Sequence, residues 1–188
     1  MEEKKLREVQ IGTEDIFAGK ILDVKRDQVR LPNGHTGMRE IIRHVGAVCV
    51  VPVTEDGKVV VERQYRYPID RVITEIPAGK LDSREEDRLS AAQRELWEET
   101  GITADRWTDM GLYYGAPAYS DEKITMFLAQ GLHRGEQHLD EDEFLNVFFV
   151  PIEELVEEIL RGEITDGKTQ IAVLKAAMLI KKQEESGT

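Results

Sequence analysis

Between Gly79 and Ile102 the chain reads GKLDSREEDRLSAAQRELWEETGI. Its end sets Glu95, Glu98 and Glu99 at i, i+3 and i+4, so a helix carries all three on one face. Like charges so spaced repel in an empty helix. They become useful when hard cations sit among them, because Mg²⁺ and Mn²⁺ take oxygen ligands. Acidic helix faces are most often solvated surface, and this chain is acidic throughout. Arg94, Glu86 and the flanking glycines set this face apart, and it reads as a phosphate-handling metal site. Its carboxylates are expected on an exposed face that contributes little to the core.

At 188 residues, 40% of them hydrophobic and 33% charged, the chain is long enough for a stable core without staples. The formal net charge of −12 argues against nucleic-acid binding, since a polyanion is repelled. A small anionic substrate then needs metal ions or local arginines. Cys49 is the single cysteine, so no intrachain disulfide forms, which favours a reducing, cytoplasmic setting. The charged start MEEKKLREVQ has no apolar stretch of signal-peptide type, and no apolar run reaches membrane-spanning length.

The order of elements points to an α+β fold with a mixed sheet between helices, preceded by an N-terminal antiparallel strand region. Residues 1–44 are expected to form that β region and 45–188 the main domain. The opening residues are expected to be mobile. A partly alternating stretch at 21–31 ends in the turn Leu31, Pro32, Asn33, Gly34. Residues 39–53 read as one long β-rich run, turning at Glu55, Asp56 and Gly57 into a strand over 58–66. Further strands are expected at 72–77, 110–114, 124–132 and 144–150. A helix is expected over 84–100, with Ser83 and Glu86 as a capping box and Gly101 at the C′ position. Leu89, Ala92 and Leu96 would be its packing face. Pro151 opens a short helix, and Asp166 caps a last one over 167–182.

The segment 79–102 resembles the Nudix box, G-x5-E-x7-R-E-U-x-E-E-x-G-U, with U a bulky aliphatic residue. Gly79, Glu86, Arg94, Glu95, Leu96, Glu98, Glu99, Gly101 and Ile102 match its fixed positions. Six residues, not five, separate Gly79 from Glu86; the extra one falls before the helix and leaves the register of the carboxylates intact. The runs Ile41-Ile42-Arg43-His44-Val45-Gly46, Arg63-Gln64-Tyr65-Arg66, Glu75-Ile76-Pro77-Ala78-Gly79, Ser120-Asp121-Glu122-Lys123 and Asp166-Gly167-Lys168-Thr169 are similar to the ADP-ribose pyrophosphatase branch of that family. The resemblance implies a Nudix-type α/β/α sandwich and an enzyme that cleaves ADP-ribose to AMP and ribose 5-phosphate with Mg²⁺ or Mn²⁺. It implies metal ligands at Glu95, Glu99 and the Ala78 carbonyl, with Glu98 a ligand or its close support. Arg94, with Glu86, would hold the loop–helix unit together. Arg66, Glu75 and Glu122 fall at substrate-binding positions. The general base would come from the acidic run 140–143, with Glu143 favoured and Glu141 second. The branch also implies a homodimer whose N-terminal strands pack on the partner and whose substrate pocket uses both chains. Another nucleoside diphosphate sugar, or a sensor that binds ADP-ribose without cleaving it, are the alternatives.

Two features are set aside. Residues 162–169 fit G-x4-G-K-[ST], but the motif follows an expected helix where a P-loop follows a strand. Glu163 and Asp166 would also put negative charge in a phosphate cradle. His35, His44, His133 and His138 have no ligand-like spacing, and Trp97 reads as packing.

Overall fold

The computed structural model describes residues 5–139 and 144–186. They fall into two compact units: one of the residues up to Gly46 together with Tyr114–Lys123, the other of Ala47–Tyr113 and Ile124 onward.

The first unit is a three-stranded antiparallel sheet of β1 (Val9–Ala18), β2 (Asp23–Arg30) and β3 (Thr36–Arg43), in that order. The expected turn joins β2 to β3, with Gly34 at φ 88° and Leu31 N–H donating to the His35 carbonyl at 2.8 Å. Strand β1 lies in the expected N-terminal β region, but its bounds were not legible. Its register against β2 shifts twice, between Gln10 and Gly12 and between Asp15 and Phe17. Each shift flips the faces, so the strand carries no clean alternation to read. The segment 114–123 joins this unit through a parallel bridge between Ile42 and Ser120.

In the second unit, strands β4 (Ala47–Val53), β5 (Lys58–Arg66), β8 (Ile102–Tyr113), β9 (Ile124–Arg134) and β10 (Leu145–Pro151) form a sheet in the order β10-β5-β4-β9-β8. Short strands β6 (Arg71–Glu75) and β7 (Ala78–Lys80) pair with β5 and β4. The β4–β9 pair is parallel and the others are antiparallel, which makes the sheet mixed. The single run expected at 39–53 is two strands, β3 and β4. Gly46, at φ 110°, bends the chain where a side chain would be strained.

β4 is apolar on both faces because both are covered. Cys49, Val51 and Val53 join the core formed with Leu155, Ile159, Ala172, Val173 and Ala176 of α2 (Ile152–Leu160) and α3 (Gly167–Ser186). Val48 and Val50 are fully buried and alternate to the opposite face, where α1 (Arg88–Thr100) contacts β4. Helix α1 starts four residues later than expected. Its N-cap is Asp87, whose carboxylate accepts from Ser90 N–H at 2.8 Å. The Ser83–Glu86 box does not form, because Glu86 spends its oxygens elsewhere, as described below. Leu89 is on the exposed side; Ala91, Ala92 and Leu96 are the buried apolar residues. The other end is as expected, with Gly101 at φ 68° and its N–H bonded to the Trp97 carbonyl. Asp166 caps α3 through Thr169 N–H at 2.9 Å. No helix among the described residues is long and apolar enough to cross a membrane.

Candidate active site

The strand–loop–helix unit from Ala78 to Gly101 brings the acidic face of α1 against β7. That face is not exposed as expected: Glu95 is 9% and Glu99 4% accessible. The reason is Gly79. A Cβ there would lie 2.0 Å from the Glu95 carboxyl carbon, so only glycine lets this carboxylate sit on the strand backbone. Glu99 accepts a hydrogen bond from Ala78 N–H at 2.9 Å. The ligand candidates Ala78, Glu95 and Glu99 are thus brought together, with Glu98 one step along the helix.

Arg94 ties the unit. Its Nη1 donates to Glu95 at 2.8 Å and Glu98 at 3.1 Å, and its Nη2 approaches Glu86 at 3.3 Å. Glu86 also accepts from Asp82 N–H at 2.6 Å, which closes the loop carrying the extra residue. Burial alone would lower the Arg94 pKa, but the Glu95 charge and the bonds to Glu95 and Glu98 outweigh it, so the guanidinium is held well above its ordinary range.

Do these residues fit a divalent ion? The donors are all oxygens, as Mg²⁺ and Mn²⁺ prefer, and the Gly79 cradle holds one carboxylate where a side chain would otherwise stand. Among the described residues no three His, Cys, Asp or Glu side chains are already gathered at ligand spacing. The carboxylates are held instead by Arg94 and the Ala78 amide, each a contact that a rotamer change releases. The donor set fits the ion.

The candidate substrate residues Arg66 and Glu75 also meet. Arg66 Nε donates to both Glu75 oxygens, at 3.1 and 3.2 Å. Glu75 is buried and Arg66 partly open. Burial pulls the Arg66 pKa down, while Glu75, then Glu62 and Glu99, push it higher, leaving it raised. Sequence reasoning missed two members here. Glu62, 1% accessible, is a carboxylate in an apolar strand. Lys168, from the rejected G-x4-G-K-T motif, lies 3.2 Å from Glu75 and 3.1 Å from Asp166. A lysine inside a motif that fails its P-loop test was the available signal.

The segment after β9 is clamped on the C-terminal end of α1. Gly135 N–H bonds the Gly101 carbonyl at 2.8 Å and His138 N–H the Glu98 carbonyl at 2.9 Å. Gln137 bonds the Glu99 carbonyl, and the His138 ring stacks on Trp97 at 4.1 Å. These contacts satisfy the end carbonyls of the helix. The favoured bases Glu143 and Glu141, two residues and more beyond Leu139, lie outside the described residues.

Glu122 belongs to the first unit. It lies 3.6 Å from His44 Nδ1. Its neighbour Asp121 accepts from His44 N–H at 2.7 Å and Arg43 at 3.3 Å, while Arg43 also binds buried Asp27 at 3.1 Å.

A mixed sheet between helices carries oxygen donors and an arginine on one strand–loop–helix unit, a set whose chemistry suits divalent ions and phosphate. The chain belongs to the Nudix family: residues 43–171 match the NUDIX domain, and residues 8–42 match the nucleoside diphosphate sugar hydrolase N-terminal domain. It is a Nudix pyrophosphohydrolase, and enzymes of this family generally depend on divalent metal. It is 43% identical to an ADP-ribose pyrophosphatase of Bacillus subtilis, over 95% of this chain and 100% of that one. It is 42% identical to a methanol dehydrogenase activator of Bacillus methanolicus, over 90% and 92%. A crystal structure of an ADP compounds hydrolase superposes with a TM-score of 0.83 at 24% identity, covering 95% and 97%; it shares the fold.

Proposed function

We propose that this protein hydrolyses ADP-ribose to AMP and ribose 5-phosphate with Mg²⁺ or Mn²⁺. The observation that carries this is full-length similarity to an ADP-ribose pyrophosphatase, joined to a complete oxygen-donor face with its arginine. Ala78, Glu95 and Glu99, with Glu98 in support, would hold the divalent ions. When bound, such ions neutralise charge on the pyrophosphate and acidify water. The chain's own residues do the rest. Arg66, held by Glu75, binds and orients a phosphate through its fork. Arg94 keeps Glu95 and Glu98 aimed. Glu143 takes the proton of the attacking water, whose oxygen bonds to phosphorus as the bridging P–O bond breaks. Glu122, in the first unit, is kept as a substrate-binding candidate on the resemblance alone. A full ligand set argues against a mere sensor, which has no need of it.

The test is a panel of nucleoside diphosphate sugars with Mg²⁺, with products read by mass. AMP and ribose 5-phosphate from ADP-ribose in preference to products from the other sugars is expected. Preference for another sugar would replace the substrate, and tight metal-independent binding without product would establish the sensor.

Glu143→Gln is expected to lower turnover about a hundredfold, the low end for a general base, because the water is already acidified. Substrate binding by calorimetry should be largely kept. A silent Glu143→Gln beside a dead Glu141→Gln would move the base to Glu141.

The N-terminal β region, residues 1–44, is read as a dimerisation arm and 45–188 as the catalytic domain. The exposed Val9, Ile11, Ile16 and Phe17 on β1 support a second copy as its partner. Light scattering on the eluted peak should give twice the chain mass of 21.4 kDa; a monomer mass refutes the arm. A cytoplasmic location completes the reading, in keeping with the buried thiol of Cys49.

A further inference from the structure

The turn at the head of α3 reaches the substrate arginine. We infer that Lys168 is a positioning residue: it shares the Glu75 Oε2 with Arg66, and so sets the guanidinium that binds the substrate phosphate. The inference rests on the proposed function for Arg66's role.

Four charges form a linear chain in the second unit. Arg66 pairs with Glu75, Glu75 with Lys168 at 3.2 Å, and Lys168 with Asp166 at 3.1 Å. The Lys168 and Asp166 side chains are 13% and 16% exposed and Glu75 3%, so solvent screens these pairs little. Lys168 is also anchored at its backbone. Next to it, Thr169 Oγ1 donates to Asp166 at 2.6 Å and accepts from Ile76 N–H at 3.0 Å. The residue after Glu75 is thereby pinned to the start of α3. Two residues on, Ala78 N–H is bound by Glu99. The short segment 75–78 therefore carries Arg66's partner at one end and the metal-face backbone at the other, and α3 holds its first half.

Lys168 shares the Glu75 Oε2 that Arg66 Nη2 uses. With both cations present, one carboxylate is held between two fixed points and cannot follow Arg66 into other rotamers. Charge acts in the same direction. Arg66, Lys168, Glu75 and Asp166 sum to zero. Without the ammonium they carry a net negative charge, beside Glu62 and Glu99, which act on Arg66 electrostatically. A pyrophosphate is then repelled. Burial lowers the Lys168 pKa, but Glu75 and Asp166 outweigh it and leave it raised, so the ammonium is present at neutral pH.

Steady-state kinetics with ADP-ribose and Mg²⁺ tests this. Lys168→Met should raise KM roughly ten- to a hundredfold, the size of one lost charged hydrogen bond, with kcat changed far less. Glu75→Gln should raise KM similarly, and the double variant should lose no more than the worse single one, because both break the same link. Unchanged KM in Lys168→Met, or losses that multiply in the double variant, would overturn the inference. If Lys168→Met does not fold, Lys168→Gln, which loses the charge but keeps a donor, replaces it; a smaller rise in KM is expected, and an unchanged KM overturns the inference. If the wild-type enzyme cleaves another nucleotide sugar, that substrate is used. If it cleaves none, the proposed function fails while the Kd of ADP-ribose replaces KM in the same cycle.

Discussion

Glu99→Gln is expected to cut metal-dependent turnover by about three orders of magnitude, since a ligated ion supplies several kcal/mol of transition-state stabilisation and each tenfold is about 1.4 kcal/mol. The substitution removes the charge and keeps the shape. The amide oxygen of glutamine still accepts from Ala78 N–H, the bond seen at 2.9 Å. Weakening that bond costs about 1 kcal/mol, or about 2–4 °C in Tm for a chain of this size. The fold should therefore survive, although Glu99 is buried and not on an open face. Turnover, Mn²⁺ affinity and thermal melting on the same sample check this. A variant that keeps more than about a tenth of wild-type turnover would remove Glu99 from the ligand set.

Gly79→Ala should have the second largest effect, about two orders of magnitude in turnover with little change in Tm. The added Cβ meets the Glu95 carboxyl carbon at 2.0 Å and its oxygens at 2.1 and 2.2 Å. Something must move, and the end of a flexible side chain moves more cheaply than strand backbone. Glu95 then swings out of line with Ala78 and Glu99, and its 2.8 Å bond to Arg94 is lost. The ligand set opens while the apolar side chains of the core keep their packing. An unchanged Mn²⁺ affinity would show that Glu95 does not need this cradle.

These two residues divide what could be read from what could not. The alignment of Glu95, Glu98 and Glu99 was legible because helical spacing is local, and the structure keeps them on one helix. The Gly101 stop was legible for the same reason. The start was not: Ser83 and Glu86 have the letters of a capping box, but Glu86 bonds Asp82 N–H and Arg94 instead, and Asp87 caps. Burial was misread because the depth of a helix face depends on what packs against it, and β7 arrives from outside the helix. The bounds of β1 escaped because its two register shifts against β2 break the alternation that would have marked them.

By itself the sequence determined the acidic register of α1, the glycine that must precede it and the family to which both belong, since each depends on residues within one turn or loop of each other. Only the tertiary structure decided that Glu95 rests on Gly79, that Glu95 and Glu99 are buried, and that Lys168 shares Glu75 with Arg66. Ile76 and Thr169, which pin that last contact, are 93 residues apart. Such a meeting costs chain entropy and is selected by packing of the whole core, which leaves no periodic trace in the residues it joins.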